Sequence, residues 1–458
     1  MYEIGPFQYT FKSNFQTSAV AKKVFCNEMI KINKNEMVII TGPSGAGKST
    51  LLQLLKGIIP EFTNGKLVGS IQYKNHLLHG ENFQKNLREI IFLFQNPFSQ
   101  LIYPKAQEEF FFSMENFNFT RDQMDQKKQE LQKYFDLDSL WNKKTTQLSN
   151  GECQRLVLAS LLAIDPEVLL LDEPTAFLDP EARKDFYEWL SSHKGKRTIV
   201  LVDHHLDEIL PFADKIIHVD KEGGVSVEQS MPSLNPASSQ IISLTKFKQS
   251  SIELKLNHVY FHYRGGPRLL EDISLHAKSG EVIVIKGKNG KGKSTLFKLM
   301  AGLLPPDQGE ICVLKDGRFV KSKMHYKEIG YIFQNPESHF FYDSIKEELR
   351  NVDAKNLQEI LYLFFQDIDI LRSPFLLSEG EKRRLSILLT VFQEKSILLY
   401  DEPTFGQDAE SKALVADLIL QLKAMGKIQI IISHDDNFIK SLDAQNFVLE
   451  NEHLSRIL

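Results

Sequence analysis

Gly42, Gly45, Gly47, Lys48 and Ser49 stand in the order GxxxxGK[ST], inside "GPSGAGKST" at 42–50. They follow an apolar run at 37–40 and precede "TLLQLLKGI", a helical pattern. In that context a glycine-rich phrase becomes a cradle for polyphosphate. Glycines let backbone N–H groups wrap phosphate oxygens, and the helix start adds partial positive charge. Lys48 is expected to reach the β- and γ-phosphates, and Ser49 to hold Mg²⁺. The candidate binding loop is Gly42, Pro43, Ser44, Gly45, Ala46, Gly47, Lys48, Ser49 and Thr50. Farther along, "VLLLDEP" at 168–174 reads as a buried strand ending in two acids. Asp172 suits a metal there, and Glu173 is placed to orient or deprotonate an attacking water. "TIVLVDHHLDEI" at 198–209 ends a further apolar strand on His204, where an imidazole can hydrogen-bond a γ-phosphate and the water.

Every one of these features occurs twice. "VIVIKGKNGKGKST" at 282–295 gives a second loop: Gly287, Lys288, Asn289, Gly290, Lys291, Gly292, Lys293, Ser294 and Thr295. "ILLYDEP" supplies Asp401 and Glu402, and "QIIISHDDNFI" supplies His434. "LSNGE" at 148–152 returns as "LSEGE" at 377–381, and from Ser149 to Asp172 and from Ser378 to Asp401 the interval is 23 positions in both copies. "FQNPFSQLIYP" at 94–104 returns as "FQNPESHFFYD" at 333–343. The chain is therefore two copies of one domain, expected at 1–228 and 251–458. The Ser-, Pro- and Asn-rich stretch 229–250 joins them. His204 and Glu208 lie four apart, which invites a metal reading, but the second copy has neither the second His nor the Glu.

A length of 458 residues requires more than one domain, and a net charge of −4 argues against a generally nucleic-acid-binding surface. Cys26, Cys153 and Cys312 form no CxxC pair, so neither a zinc site nor a disulfide framework is expected. The start "MYEIGPFQYTFKSNF" lacks the pattern of a signal peptide, and no apolar run reaches the roughly 18 residues of a membrane span. Any membrane role is expected to come through a partner.

The order of P-loop, Gln loop, "LS-x-G-x", "LLLDEPT" and His resembles the ATP-binding cassette (ABC) ATPases, over essentially the whole chain and twice. The resemblance implies an α/β fold: two tandem P-loop NTPase domains, each with a RecA-like core, an antiparallel β subdomain and a helical signature subdomain around 97–160 and 336–390. It implies ATP hydrolysis with ATP and Mg²⁺. Gln95 and Gln334 become Gln-loop residues that contact the metal and the water. The implied metal-side set is thus Ser49, Gln95 and Asp172 in one copy and Ser294, Gln334 and Asp401 in the other. Glu173, Glu402, His204, His434, Gln95 and Gln334 form the implied catalytic set. In the family the signature loop of one domain closes over the nucleotide on the other's P-loop, which assigns that role to Ser149, Gly151, Ser378 and Gly380 and implies intramolecular pairing of the two domains. Asn150 and Glu379 replace the usual first Gly, and Glu152 and Glu381 the usual Gln; the Ser and second Gly survive, so function is expected to survive, although acids near phosphate can weaken closure. Asp179 and Asp408 fall in the D-loops and are expected to reach across the pair. Tyr263, in "VYFHY", fits the aromatic that stacks on adenine. Phe11 is its counterpart across a seven-residue insertion, with a core position on a strand as the alternative.

The phrase around Gln95, continuing into "KAQEEFFFSMEN", resembles the Gln loop and following acidic helix of energy-coupling factor (ECF) transporter ATPases, and "VDHHLDEI" resembles their His switch. The resemblance implies separate membrane-embedded partners, a coupling subunit and a substrate-binding subunit, and a peripheral place on the cytoplasmic face of the membrane. The implied cargo is a micronutrient, a vitamin or a transition-metal ion. Phe98, Leu101, Ile102, Phe340 and Phe341 would then form exposed apolar seats for a coupling helix, with core positions as the alternative. Gln100 against His339 hints that the two seats are unequal. Other tandem ABC proteins stay open as alternatives. Sugar importers often have a degraded second P-loop, ribosome-acting proteins a long charged linker, and DNA-repair ATPases Cys-rich insertions. None of these features is present in this sequence.

Overall fold

A computed structural model describes residues 1–11, 23–43, 45–63, 65–79, 86–176, 178, 180–203, 206–228, 251–321, 325–352, 357–365 and 368–457. The chain divides into two compact units, Met1–Leu234 and Asn235–Leu458. The stretch 229–250, read as a linker, lies outside the described residues, as do Ser44, Asp179, His204 and His205.

The first unit is organised around a six-stranded sheet. Its spatial order is Val225–Glu228, Lys215–Val219, Met37–Thr41, Thr198–Val202, Val168–Asp172, Ile90–Leu93. All neighbours are parallel except the first pair. The strands are short apolar runs because both faces are covered. Along Met37–Thr41, Met37 and Ile39 join the cluster built with Phe110, Leu156 and Trp189, whereas Val38 and Ile40 join the one built with Tyr2, Leu51 and Tyr73. A second, antiparallel sheet is built on Tyr2–Phe11 and Gly65–Tyr73. Three helices, Ala106–Asn116, Arg121–Phe135 and Asn150–Leu162, form the helical part.

The second unit repeats the plan. Its main sheet runs Ile329–Ile332, Ile397–Asp401, Ile428–Ile432, Val282–Lys286, Gln445–Glu450, His453–Ile457, with the same connectivity and a single antiparallel edge pair. Again the strand before the glycine loop is shared, Ile283 and Ile285 facing one cluster and Val282 and Val284 the other. The antiparallel sheet is built on Ile252–His262, Arg268–Lys278 and Gln308–Lys315. In place of two long helices, the helical part has the short Ile345–Glu348 and Leu357–Phe365 ahead of Glu379–Val391. In both units the chemistry-bearing residues sit just past the carboxyl ends of parallel strands, where open α/β sheets bind ligands.

Two of the residues expected as exposed seats are not exposed. Phe340 is 6 % exposed and packs with Ile345, Leu361 and Leu385, its ring edge-on to Phe375. Leu101 is partly buried against the first unit's helical cluster. The cause is period: the chain is extended after the 3₁₀ turn in both copies, so neighbouring side chains point opposite ways. Phe98, Ile102 and Phe341 are exposed, Phe341 at 81 %. Accordingly, Phe340→Ala should cost about 3 kcal/mol and Phe341→Ala under about 0.5 kcal/mol, read by denaturant unfolding of the two variants.

Candidate nucleotide sites

The glycine loop begins where the chain leaves a central strand. Gly42 has φ 138° and Gly287 φ 147°. A Cβ would lie 2.1 Å from the Val219 carbonyl oxygen in the first case and 2.4 Å from that of Leu449 in the second. The neighbouring strand thus demands glycine at this turn on two counts, sterics and dihedral. The loops feed the helices Lys48–Lys56 and Lys293–Met300. Lys48 and Lys293 are buried, and each folds back over its own loop. Lys48 Nζ donates to the carbonyls of Gly42 and Pro43 at 2.8 Å. Lys293 Nζ donates to those of Gly287 and Lys288. Each ammonium is therefore held at the mouth of a cradle of backbone amides.

The acids follow on the next strand but one. Asp172 and Asp401 are the last residues of Val168–Asp172 and Ile397–Asp401, and both are buried. Glu173 and Glu402 then adopt left-handed backbones, φ 50° and 54°. For a glutamate this is strained, and such residues cluster at functional sites. A hydrogen bond to the adjacent strand helps hold each: Glu173 N–H donates to the Val202 carbonyl at 2.9 Å, and Glu402 N–H to that of Ile432 at 3.0 Å. Burial pushes the Glu402 carboxyl up to about 8, against the pull of Lys293 and with the push of Asp401. Burial raises Asp401 as well, while hydrogen bonds from Ser294 and Tyr331 oppose it. His434 Nε2 stands 3.6 Å from Glu402 Oε1. Ser294, Asp401 and Gln334 offer oxygen donors only, a set that fits a hard divalent cation such as Mg²⁺.

The repeated "FQNP" phrase is a capped turn. Asn96 accepts the Phe98 N–H, and Pro97 starts a 3₁₀ turn to Gln100. Asn335 and Pro336 do the same ahead of His339. Gln100 Oε1 accepts the Phe94 N–H at 2.9 Å, and its amide donates to the Phe92 carbonyl at 3.0 Å. His339 Nε2 accepts the Phe333 N–H at 3.0 Å. So Gln100 and His339 accept the equivalent backbone N–H from inside, clamping the entry to the Gln loop, and Gln100 adds a bond to the Phe92 carbonyl. The residues after the turn are held by a glutamate one helix later. Glu109 accepts the Ile102 and Tyr103 N–H groups at 2.8 and 2.7 Å, and Glu348 those of Phe341 and Tyr342. Gln95 and Gln334 are partly buried on these loops.

Ser149 and Ser378 cap the helices Asn150–Leu162 and Glu379–Val391, which begin on Gly151's and Gly380's turns. The acids that replace the usual glutamine have a local task. Glu152 Oε2 accepts both N–H and Oγ–H of Ser149, at 2.8 and 2.9 Å, and Glu381 does likewise for Ser378. These are capping boxes. Asp408 caps its own helix through the Ser411 N–H. Tyr263 is half exposed, its hydroxyl 3.1 Å from Thr295 Oγ1 in the glycine-loop helix. It stands edge-on to Phe261, as Phe11 stands to Tyr9. Phe11 packs partly buried against the core. Sequence reasoning missed Tyr331 and Arg383. Arg383 is buried and donates to the carbonyls of Phe333 and Gln334; only an arginine inside the signature helix, where the other copy has Gln154, hinted at it.

The family model described as ABC transporter matches residues 27–176 and again 270–405. The chain is 29 % identical to a Bacillus subtilis protein, YkoD, named for HMP/thiamine import ATP binding, over 95 % of this chain and 88 % of that one. It is 30 % identical to a Bacillus thuringiensis protein named as an ABC transporter ATP-binding protein, over 89 % and 84 %. Among solved structures, a ribosome-bound archaeal Pelota and ABCE1 assembly matches at TM-score 0.68 and 19 % identity, covering 95 % of this chain and 76 % of that one. Archaeal ABCE1 with the ribosomal stalk protein aP1 matches at TM-score 0.61 and 20 % identity, over 94 % and 87 %. At these identities the structural likeness speaks for the fold.

Burial holds the His339 imidazole down to about 4, below its ordinary 6.5, with Arg383 adding to the effect. The folded chain keeps it neutral while the unfolded chain takes up a proton below about 6.5. The clamp's contribution is thus full above that pH and is lost as pH falls toward 4. His339→Gln, which copies Gln100, should flatten this acid limb. Melting curves at pH 7 and pH 5 should differ by a few degrees less in the variant than in the parent.

Proposed function

The chain belongs to the ABC transporter family and is an ATPase with two ATP-binding domains in tandem, and from that premise we propose that it is the ATP-hydrolysing subunit of a prokaryotic ECF-type importer. It drives uptake of a micronutrient, a vitamin or a transition-metal ion, through separate membrane subunits and works at the cytoplasmic face of the membrane. The observation that carries this reading is the doubled capped loop after Gln95 and Gln334. In each copy a partly buried clamp and a glutamate fix the backbone while large apolar side chains, Phe98 and Ile102 in the first and Phe341 in the second, face solvent. A rigid loop presenting exposed apolar side chains suits the docking of a partner helix. The relative named for HMP/thiamine import supports the choice of cargo class. Among the described residues no helix is long and apolar enough to cross a membrane, which agrees with a role for membrane partners. A soluble ABC protein acting on the ribosome is the second reading, favoured by the fold shared with the ribosome-bound assembly.

In the proposed chemistry the backbone cradle and Lys48 or Lys293 bind the β- and γ-phosphates. Tyr263, and Phe11 in the other unit, stack on adenine. Glu173 and Glu402 take the proton of the attacking water. A general base works best with a pKa near the working pH, and the raised Glu402 carboxyl meets that condition. His434, beside Glu402, orients the water and the γ-phosphate. Mg²⁺, held by Ser49, Gln95 and Asp172 or by Ser294, Gln334 and Asp401, supplies charge neutralisation of the phosphates.

Two measurements test the reading. Glu173→Gln or Glu402→Gln alone should leave part of the turnover, and the double variant should lose roughly 10²–10⁴-fold; an undiminished rate would remove both from the catalytic role. Ile102→Asp with Phe341→Asp should leave nucleotide binding and the melting curve unchanged but reduce the membrane-sedimenting fraction in cells at least tenfold, together with substrate uptake. Retained membrane association would overturn the docking role of these two side chains, and a parent protein that sediments with ribosomes rather than membranes in sucrose gradients would point to the ribosomal reading.

A further inference from the structure

The two units differ in what stands behind their metal-side residues. In the second unit Tyr331 lies on the strand Ile329–Ile332, opposite Leu399 of Ile397–Asp401. Its hydroxyl donates to Asp401 Oδ2 at 3.1 Å. The ring is 9 % exposed, edge-on to Phe297 and tilted against Phe333, so its direction is set by packing. The same register position in the first unit is Phe92, opposite Leu170. It packs edge-on to Phe94 and has no hydroxyl to offer Asp172.

A second difference points the same way. Arg383 is 1 % exposed and donates to the Phe333 carbonyl at 2.8 Å and to the Gln334 carbonyl. Its counterpart Gln154, an amide rather than a guanidinium, donates to the Glu173 carbonyl at 3.3 Å. Both members of the second unit's metal edge, Gln334 and Asp401, thus have a buried, directional donor behind them. A donor aimed at a ligand carboxylate fixes its orientation before the ion arrives.

We propose that Tyr331 is a positioning residue for the divalent cation of the second unit, acting through Asp401 with Arg383 securing the Gln334 backbone. The inference rests on the reading of Asp401 as a cation-holding residue. The second site binds its cation in a pre-set geometry.

The test reads Mn²⁺ binding by electron paramagnetic resonance with saturating ADP on the full chain, in a Lys48→Ala background that silences the first site. Tyr331→Phe should raise the half-saturating Mn²⁺ concentration about tenfold and alter the Mn²⁺ line shape. A value within twofold of the parent overturns the proposal. Asp401→Asn separates the two layers: loss with Asp401→Asn but not with Tyr331→Phe sinks the positioning role alone, and no loss with either sinks the cation reading and the proposal together. Phe92→Tyr in a Lys293→Ala background is the reciprocal test and decides the matter should Tyr331→Phe fold poorly. It should tighten Mn²⁺ at the first site several-fold, and an unchanged affinity counts against the proposal.

Discussion

One backbone hydrogen bond per unit, from the N–H of the second acid to the carbonyl of the adjacent strand's last buried residue, governs the rest of the site. It carries Glu173 to Val202 and Glu402 to Ile432. Without it the chain would leave the strand in an extended conformation, and the glutamate would point back along the sheet. With it, the strand ladder gains one more rung while the side chain turns at φ near 50°. The strain of order 1–3 kcal/mol is carried by strands buried on both faces. The same requirement fixes the sheet order. The strand before the glycine loop sits next to the strand that receives this bond, so cradle and acid open on one edge.

The second constraint is that a loop cannot present a side chain reliably unless its own amides are satisfied. In the phrase after each Gln loop, asparagine takes the first N–H, a clamp residue the amide before it, and a glutamate two more. The segment is irregular, yet these four amides are bonded, so the exposed apolar residues beside them have a fixed place. The capping boxes at Ser149 and Ser378 follow the same logic. The carboxylate that replaces a neutral amide there is spent on the serine's own N–H and hydroxyl.

The fold was legible in the sequence because its signals are local and doubled: apolar runs of strand length, glycines at a forced turn, acids at a strand end. That the glycine loop lies between a strand and a helix, and that Asp172, Glu173 and their second-copy equivalents lie at a strand end, could be read from spacing alone. The side of a strand or loop could not. Phe340 and Phe341 are adjacent and alike, and only the extended backbone, set by Glu348 from a later helix, sends one inward and one out. Nor could the donors behind the acids be read. Tyr331 and Arg383 reach their partners across 70 and 49 residues of sequence, and in the first unit the corresponding positions hold Phe92 and Gln154. The left-handed glutamates left no trace, since nothing in "DEPT" fixes the sign of φ.

The clamps at Gln100 and His339 carry a lesson about inheritance by duplication. An amide and an imidazole share no chemical ancestry, yet each offers a lone pair at the same distance from the same backbone amide. What persists between the two halves is the acceptor, and the residue that provides it is exchangeable. Such a position registers as a mismatch when the halves are laid side by side, although the equivalent backbone amide finds its acceptor in both. It marks the kind of place where twin domains drift in letter while remaining one structure.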